Sequence, residues 1–218
     1  MIESVVFDMD GVLFDTERVC SDVWYQTGKE MGLKDIGIAV TNCVGFNAVD
    51  TRQFFLNQFG NDFPYEKFRE RSSVLFHEIL NKEGIPIKPG VFEILNFLQE
   101  YDYKIALATS TNKANVMNYL NEAGITHYFQ AIVTGDMVKH GKPDPEIYIK
   151  ACRELHSLPE LCIAVEDSPN GLKAAYHAGM KPVMVPDLIK PDEEVKKLLY
   201  GIFDSLLEVK NYLQGRKG

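Results

Sequence analysis

Two acids, Asp8 and Asp10, follow a short β-branched apolar run, Ser4–Phe7, in the stretch Asp8-Met9-Asp10-Gly11. Carboxylates this close together in sequence suit a hard cation. Three other stretches carry matching chemistry: Thr109-Ser110-Thr111 after Lys104–Ala108, Gly141-Lys142-Pro143-Asp144-Pro145 beyond Ala131–Thr134, and Glu166-Asp167-Ser168 after Leu161–Val165. Gathered at one place, Asp8, Asp10, Glu166 and Asp167 would oppose a single ammonium, that of Lys142, and repel one another in a low-dielectric cleft. A hard divalent cation relieves that excess, and Mg²⁺ takes oxygen ligands of this kind. The remaining donors, Thr109, Ser110 and Lys142, suit a phosphate, helped by the positive end of a helix starting after Thr111. The set reads as Mg²⁺-assisted phosphoryl transfer. A calcium loop fails because Gly11 is fourth rather than sixth in its loop, and a P-loop fails because Pro143 stands where Ser or Thr is needed.

These residues need a scaffold that brings four distant stretches together. From Pro89-Gly90 onward the pattern alternates: helix over Val91–Glu100, strand over Lys104–Ala108, helix over Lys113–Ala123, strand over Ala131–Thr134, helix over Pro145–Leu155. A strand at Leu161–Val165, a helix at Asn170–Ala178 and a strand at Pro182–Val185 follow. Such alternation predicts βαβ units and a buried parallel sheet, doubly wound by right-handed crossovers, with the active site beyond the strand C-termini. Residues 16–88 read as helices only, over Glu17–Met31, Ala48–Phe59 and a stretch after Pro64. The expected architecture is an α/β, Rossmann-like core over residues 1–15 and 89–218 with an inserted α-helical cap over residues 16–88.

Composition narrows the classes. The chain has 218 residues, 31 acidic against 23 basic, for a formal charge of −8. With that balance and no Lys/Arg run longer than a pair, nucleic acid is not expected as a partner. The longest uncharged stretch, Ile36–Val49, has 14 residues and includes Thr41, Asn42 and Gly45, too short and polar to span a membrane. No basic segment or cleavage site marks the N-terminus, and Cys20, Cys43, Cys152 and Cys162 are widely spaced, so a cytoplasmic chain with free thiols is expected. Cys152 and His156 sit one helical turn apart but have no further ligand nearby in sequence, and a metal site there is declined.

The stretch Asp8-Met9-Asp10-Gly11-Val12-Leu13-Phe14-Asp15-Thr16 resembles the first motif of the haloacid dehalogenase superfamily. Ala108–Thr111, Gly141–Pro145 and Val165–Gly171 resemble its second, third and fourth motifs, in the family's order, and the helical insert matches its cap. The nearest group is the β-phosphoglucomutase-like phosphatases. The resemblance implies that Asp8 is the nucleophile and that Asp10 protonates the leaving alcohol and later deprotonates water. It further implies that Asp8, Asp10 (through its carbonyl) and Asp167, with Glu166 close by, hold Mg²⁺. Thr109, Ser110 and Lys142 would bind the phosphoryl oxygens.

Substrate markers in the insert depart from the mutase pattern. A mutase has His four residues after the Thr of its first motif, where this chain has Cys20, and an Arg in a cap loop where Gly45-Phe46-Asn47-Ala48 has none. Arg71 falls where the mutase has a substrate-facing Lys, and is retained as a substrate-binding candidate. The resulting expectation is a monomeric phosphatase acting on a small phosphomonoester, a sugar phosphate, through an aspartyl-phosphate. A β-phosphoglucomutase is the alternative. A dehalogenase, which does not need the second Asp, and a binding protein that has lost turnover both fit less well.

Overall fold

A computed structural model describes residues 2–43 and 48–216. In chain order these form β1 (Ser4–Phe7), α1 (Thr16–Glu30), α2 (Ile36–Asn42), α3 (Ala48–Phe59), α4 (Tyr65–Glu83), α5 (Val91–Glu100), β2 (Lys104–Ala108), α6 (Lys113–Glu122) and β3 (Ala131–Val133). They continue with α7 (Glu146–Glu154), β4 (Cys162–Glu166), α8 (Pro169–His177), β5 (Lys181–Met184), α9 (Glu193–Lys196), β6 (Gly201–Ile202) and α10 (Leu206–Gln214). Contacts divide the chain into two compact units, Met1–Phe14 with Ile87–Gly218, and Asp15–Pro86.

The first unit is an α/β layer structure. Its sheet has six parallel strands in the order β3-β2-β1-β4-β5-β6. Every residue of β1 and β4 is buried, as expected of central strands covered by helices on both faces. β1 pairs with β2 and β4, and the register sets Phe7 opposite both Leu107 and Val165. The residues that follow these three strands therefore emerge side by side at one sheet edge. This is the place where a doubly wound sheet binds its ligand. α7 lies against β2 and β3 through Ile147, Tyr148, Ala151 and Cys152, and α10 packs on α5.

Four boundaries differ from the pattern reading in ways that matter. β4 runs one residue beyond Val165, so Glu166 belongs to the strand and is fully buried. The helix after β2 takes its N-cap from Asn112, whose side chain accepts the Asn115 N–H at 3.1 Å, and not from Thr109, Ser110 or Thr111. β6 and α10 lie past the last patterned strand. A two-residue strand has no readable period, but α10 carries a Ser-x-x-Glu signature, with the Ser205 hydroxyl accepting the Glu208 N–H at 3.3 Å.

The second unit is all helical among its described residues. Its core is aromatic: Trp24 meets Phe55 and Phe68 edge-on at 5.4 and 5.9 Å between ring centroids, and Phe63 stacks on Phe55 at 5.8 Å. α2 lies in the segment without charges. Its Gly37 and β-branched residues disfavour a helix locally, but Ile36 seats against Gly28 of α1, where any side chain at position 28 would overlap it. Packing overrides propensity there. The Gly45–Asn47 part of the cap loop singled out in the sequence lies outside the described residues. No described helix is long and apolar enough to cross a membrane.

Candidate active site

β1 delivers Asp8, whose backbone N–H donates to Val165 O at 2.9 Å, so the strand pairing continues one residue into the site. A tight turn follows, in which Gly11 N–H donates to Phe14 O and Leu13 N–H to Met9 O, both at 2.9 Å. Gly11 has a φ of +77°, and a Cβ there would overlap the Asp167 carboxylate. Only glycine allows the β1 turn and the β4 loop to approach this closely.

Lys142 joins the buried charges. Its Nζ lies 2.9 Å from Asp8 Oδ1 and 2.6 Å from Glu166 Oε1, and it donates to Ala108 O at 3.0 Å. The ammonium thus ties together the ends of β1, β2 and β4. Glu166 is itself held on every side. Tyr148 Oη donates to Oε1 at 2.7 Å, and Oε2 accepts the Asp167 N–H, Ser168 N–H and Ser168 hydroxyl at 3.2, 3.2 and 3.1 Å. These donors surround the N-terminus of α8, whose dipole favours the carboxylate. A Cβ at Gly171, on the first turn of α8, would overlap Glu166. Tyr148 is fully buried, and a buried phenol needs an acceptor. Its place on the apolar stripe of α7 disguised it in the sequence as a core residue.

The charges do not balance. Asp8, Glu166 and Asp167 each present a carboxylate oxygen within 4.8 Å of the others, and all three are buried. Burial and the Glu166 charge push the Asp8 carboxyl up to about 8 despite the opposing pull of Lys142. Burial works against the Lys142 ammonium, but Asp8 and Glu166 outweigh it and hold it charged. Asp8 Oδ1, beside the ammonium, accepts no well-directed hydrogen bond. The Lys142 ammonium faces both Asp8 and Glu166, and with Asp167 beside them the cluster sets three carboxyl groups, all hard oxygen donors, around one ammonium. That donor set fits a divalent cation such as Mg²⁺.

Asp10 is turned to the β2 loop. Its Oδ2 accepts from Thr111 Oγ1 at 2.7 Å and lies 3.5 Å from Thr109 Oγ1. Thr109 is fully buried, and its hydroxyl accepts the Thr111 N–H at 3.1 Å. Ser110 is exposed. Arg71 lies on α4 in the helical unit, where its Nε and Nη2 fork onto Glu30 at 2.7 and 3.0 Å. The structure therefore brings Asp8, Asp10, Thr109, Lys142, Glu166 and Asp167 together at the sheet edge. It adds Thr111 and Tyr148, and places Arg71 with Glu30.

The family model for haloacid dehalogenase-like hydrolases matches residues 5–185. The phosphorylated carbohydrates phosphatase of Thermotoga maritima is 32% identical over 186 residues, covering 84% of each chain. The crystal structure of CbbY from Rhodobacter sphaeroides in complex with phosphate superposes with a TM-score of 0.77 at 27% identity, covering 96% of each chain. That of β-phosphoglucomutase from Clostridium difficile gives 0.78 at 26% identity, over 99% of this chain and 96% of the other. With its parallel sheet, its carboxylate-rich edge and these likenesses, the chain belongs to the haloacid dehalogenase-like hydrolases and is an enzyme of that family.

Proposed function

We propose that this enzyme hydrolyses a small phosphorylated sugar by a Mg²⁺-dependent route through an Asp8-phosphate. The observation that carries the reading is the buried carboxylate of Asp8 beside Lys142, with a second acid, Asp10, accepting from the Thr111 hydroxyl. Asp8 Oδ attacks phosphorus in line, and as the bridging P–O bond breaks Asp10 gives its proton to the departing alcohol. Asp10, now ionised, takes a proton from water as the water oxygen attacks the phosphoryl group, which returns Asp8 as a carboxylate and releases phosphate. The Lys142 ammonium, the Thr109 hydroxyl and the backbone beside Ser110 bind the phosphoryl oxygens while charge is spread over them. Asp8 and Asp167, with the Asp10 carbonyl and Glu166 nearby, would hold Mg²⁺, whose charge offsets the repulsion between nucleophile and phosphate. Phosphate-monoester hydrolysis needs accelerations of up to ~10²¹, and a site this dense in charge is proportionate to that barrier.

The helical unit is the cap that selects the substrate, with Arg71 a substrate contact once it releases Glu30. The chain works as a cytoplasmic monomer on a diffusible phosphomonoester. The name of the Thermotoga relative supports a phosphorylated carbohydrate as the substrate. The likeness to β-phosphoglucomutase supports the alternative of phosphoryl transfer between two positions of one sugar. Cys20 standing where a mutase has His weighs against it.

The test is a time course with purified chain against glucose 6-phosphate, β-glucose 1-phosphate and other sugar phosphates, with and without Mg²⁺. Free phosphate and isomerised sugar are both measured, and Asp8→Asn is the control. Metal-dependent phosphate release that vanishes in Asp8→Asn is expected. Isomer without phosphate would transfer the reading to a mutase, and full activity in Asp8→Asn would end it.

A further inference from the structure

The β2 loop presents two threonine hydroxyls to the site, and their geometry divides them. Thr111 Oγ1 donates to Asp10 Oδ2 at 2.7 Å, a short hydroxyl–carboxylate bond, whereas Thr109 Oγ1 reaches the same oxygen only at 3.5 Å, the outer limit of a hydrogen bond. Thr109 Oγ1 instead accepts the Thr111 N–H, which leaves its own hydrogen for a phosphoryl oxygen. Thr111 is pinned on both sides, because its N–H goes to Thr109 and its carbonyl accepts the Gly135 N–H at 3.0 Å. The following helix makes no demand on it, since Asn112 supplies the N-cap. Branching at Cβ further restricts the rotamer that carries the hydroxyl.

We infer that Thr111 is a positioning residue: its hydroxyl holds Asp10 Oδ2, so that the proton delivered to the leaving alcohol sits on Oδ1 and faces the bridging oxygen. The inference rests on Asp10 being the general acid of the reading above. When the P–O bond breaks, that proton passes to the alcohol oxygen and Asp10 is left ionised, still accepting from Thr111. An alkoxide needs the proton far more than p-nitrophenolate does, so loss of the Thr111 hydroxyl damages catalysis selectively.

The experiment measures kcat/KM, with saturating Mg²⁺, for phosphomonoesters of rising leaving-group basicity: p-nitrophenyl phosphate, phenyl phosphate and glucose 6-phosphate. Wild type is compared with Thr111→Val, Thr111→Ser and Asp10→Asn. Thr111→Val should lose roughly 10- to 100-fold on glucose 6-phosphate, a part of the general-acid contribution, and less than about threefold on p-nitrophenyl phosphate. Thr111→Ser should restore the wild-type dependence. If Thr111→Val does not fold, Thr111→Ala tests the same hydroxyl. Equal losses on all three esters, or no loss, would overturn the inference while a steepened dependence in Asp10→Asn kept the general-acid reading. A flat dependence in Asp10→Asn would instead remove the reading on which the inference rests.

Discussion

Replacing Asp8 by Asn should make the metal-free enzyme more stable at neutral pH, and the gain can be worked from the site. Burial and Glu166 raise the Asp8 carboxyl from 3.8 to about 8 when no cation is bound. Between those values the folded chain keeps a proton that the unfolded chain has released. The unfolded state then binds one proton fewer, so stability falls as pH rises, by about 1.4 kcal/mol per pH unit. The contribution is whole below the unfolded value and is lost as pH climbs through the folded one. From pH 5 to pH 7 the loss is about 3 kcal/mol, or about 5–10 °C in Tm for a chain of this length. Groups away from the site titrate alike in wild type and Asp8→Asn, so the difference between the two melting curves reports Asp8 together with the charges coupled to it. Differential scanning calorimetry in EDTA across pH 5–8 should show Asp8→Asn gaining on wild type by that amount. Saturating Mg²⁺ should cancel the gain, because the cation binds the ionised carboxylate and favours proton release. Melting temperatures that stay parallel from pH 5 to pH 8 without metal would refute the argument that burial and like charge hold the proton on Asp8.

Lys142→Met keeps the volume and removes the ammonium that joins Asp8, Glu166 and Ala108 O, so it should cost ~3–5 kcal/mol in urea unfolding and lower kcat by about 10²–10³. Gly171→Ala drives a methyl into Glu166, so Tm should fall by an amount corresponding to ~1–3 kcal/mol, with weaker Mg²⁺ activation in the steady state. Arg71→Ala leaves the sheet edge untouched, so steady-state kinetics should give an unchanged kcat with a raised KM for a sugar phosphate; an unchanged KM would take Arg71 out of the substrate site.

Much of the α/β unit was legible because central parallel strands must be apolar throughout. Ser4–Phe7 and Lys104–Ala108 could be read as strands from composition and the turns that bound them, and Ala131–Thr134 is one residue longer than the strand observed, Ala131–Val133. The acids at their ends stood out because each interrupts a buried run where a loop has no local need of a charge. Glu166 shows the limit of that reasoning: as a charged residue it looked like the first loop position, but Lys142, Tyr148 and the start of α8 supply enough donors to keep it in the strand. Tyr148 was hidden by the opposite effect, since only its hydroxyl is polar and the rest of the ring packs as core. Thr111, one of three consecutive hydroxyl residues before α6, had an ordinary local explanation in the sequence, since Thr is a good N-cap. The structure shows Asn112 serving as the cap, and only three-dimensional placement reveals that Thr111 reaches Asp10, 101 residues away. α2 was illegible because its helicity comes from the seat at Gly28 and not from its own residues.

In the proposed reaction the phosphoryl group passes to Asp8 before it reaches water. Mixing the enzyme with Mg²⁺ and its best sugar phosphate, quenching in acid within milliseconds and mapping peptides by mass spectrometry tests that order directly. A peptide containing Asp8 that is heavier by one phosphoryl group and alkali-labile is expected, transient in wild type and absent from Asp8→Asn. Steady turnover with no phosphorylated peptide at any quench time, in an enzyme whose Asp10→Asn variant likewise traps none, would contradict that order.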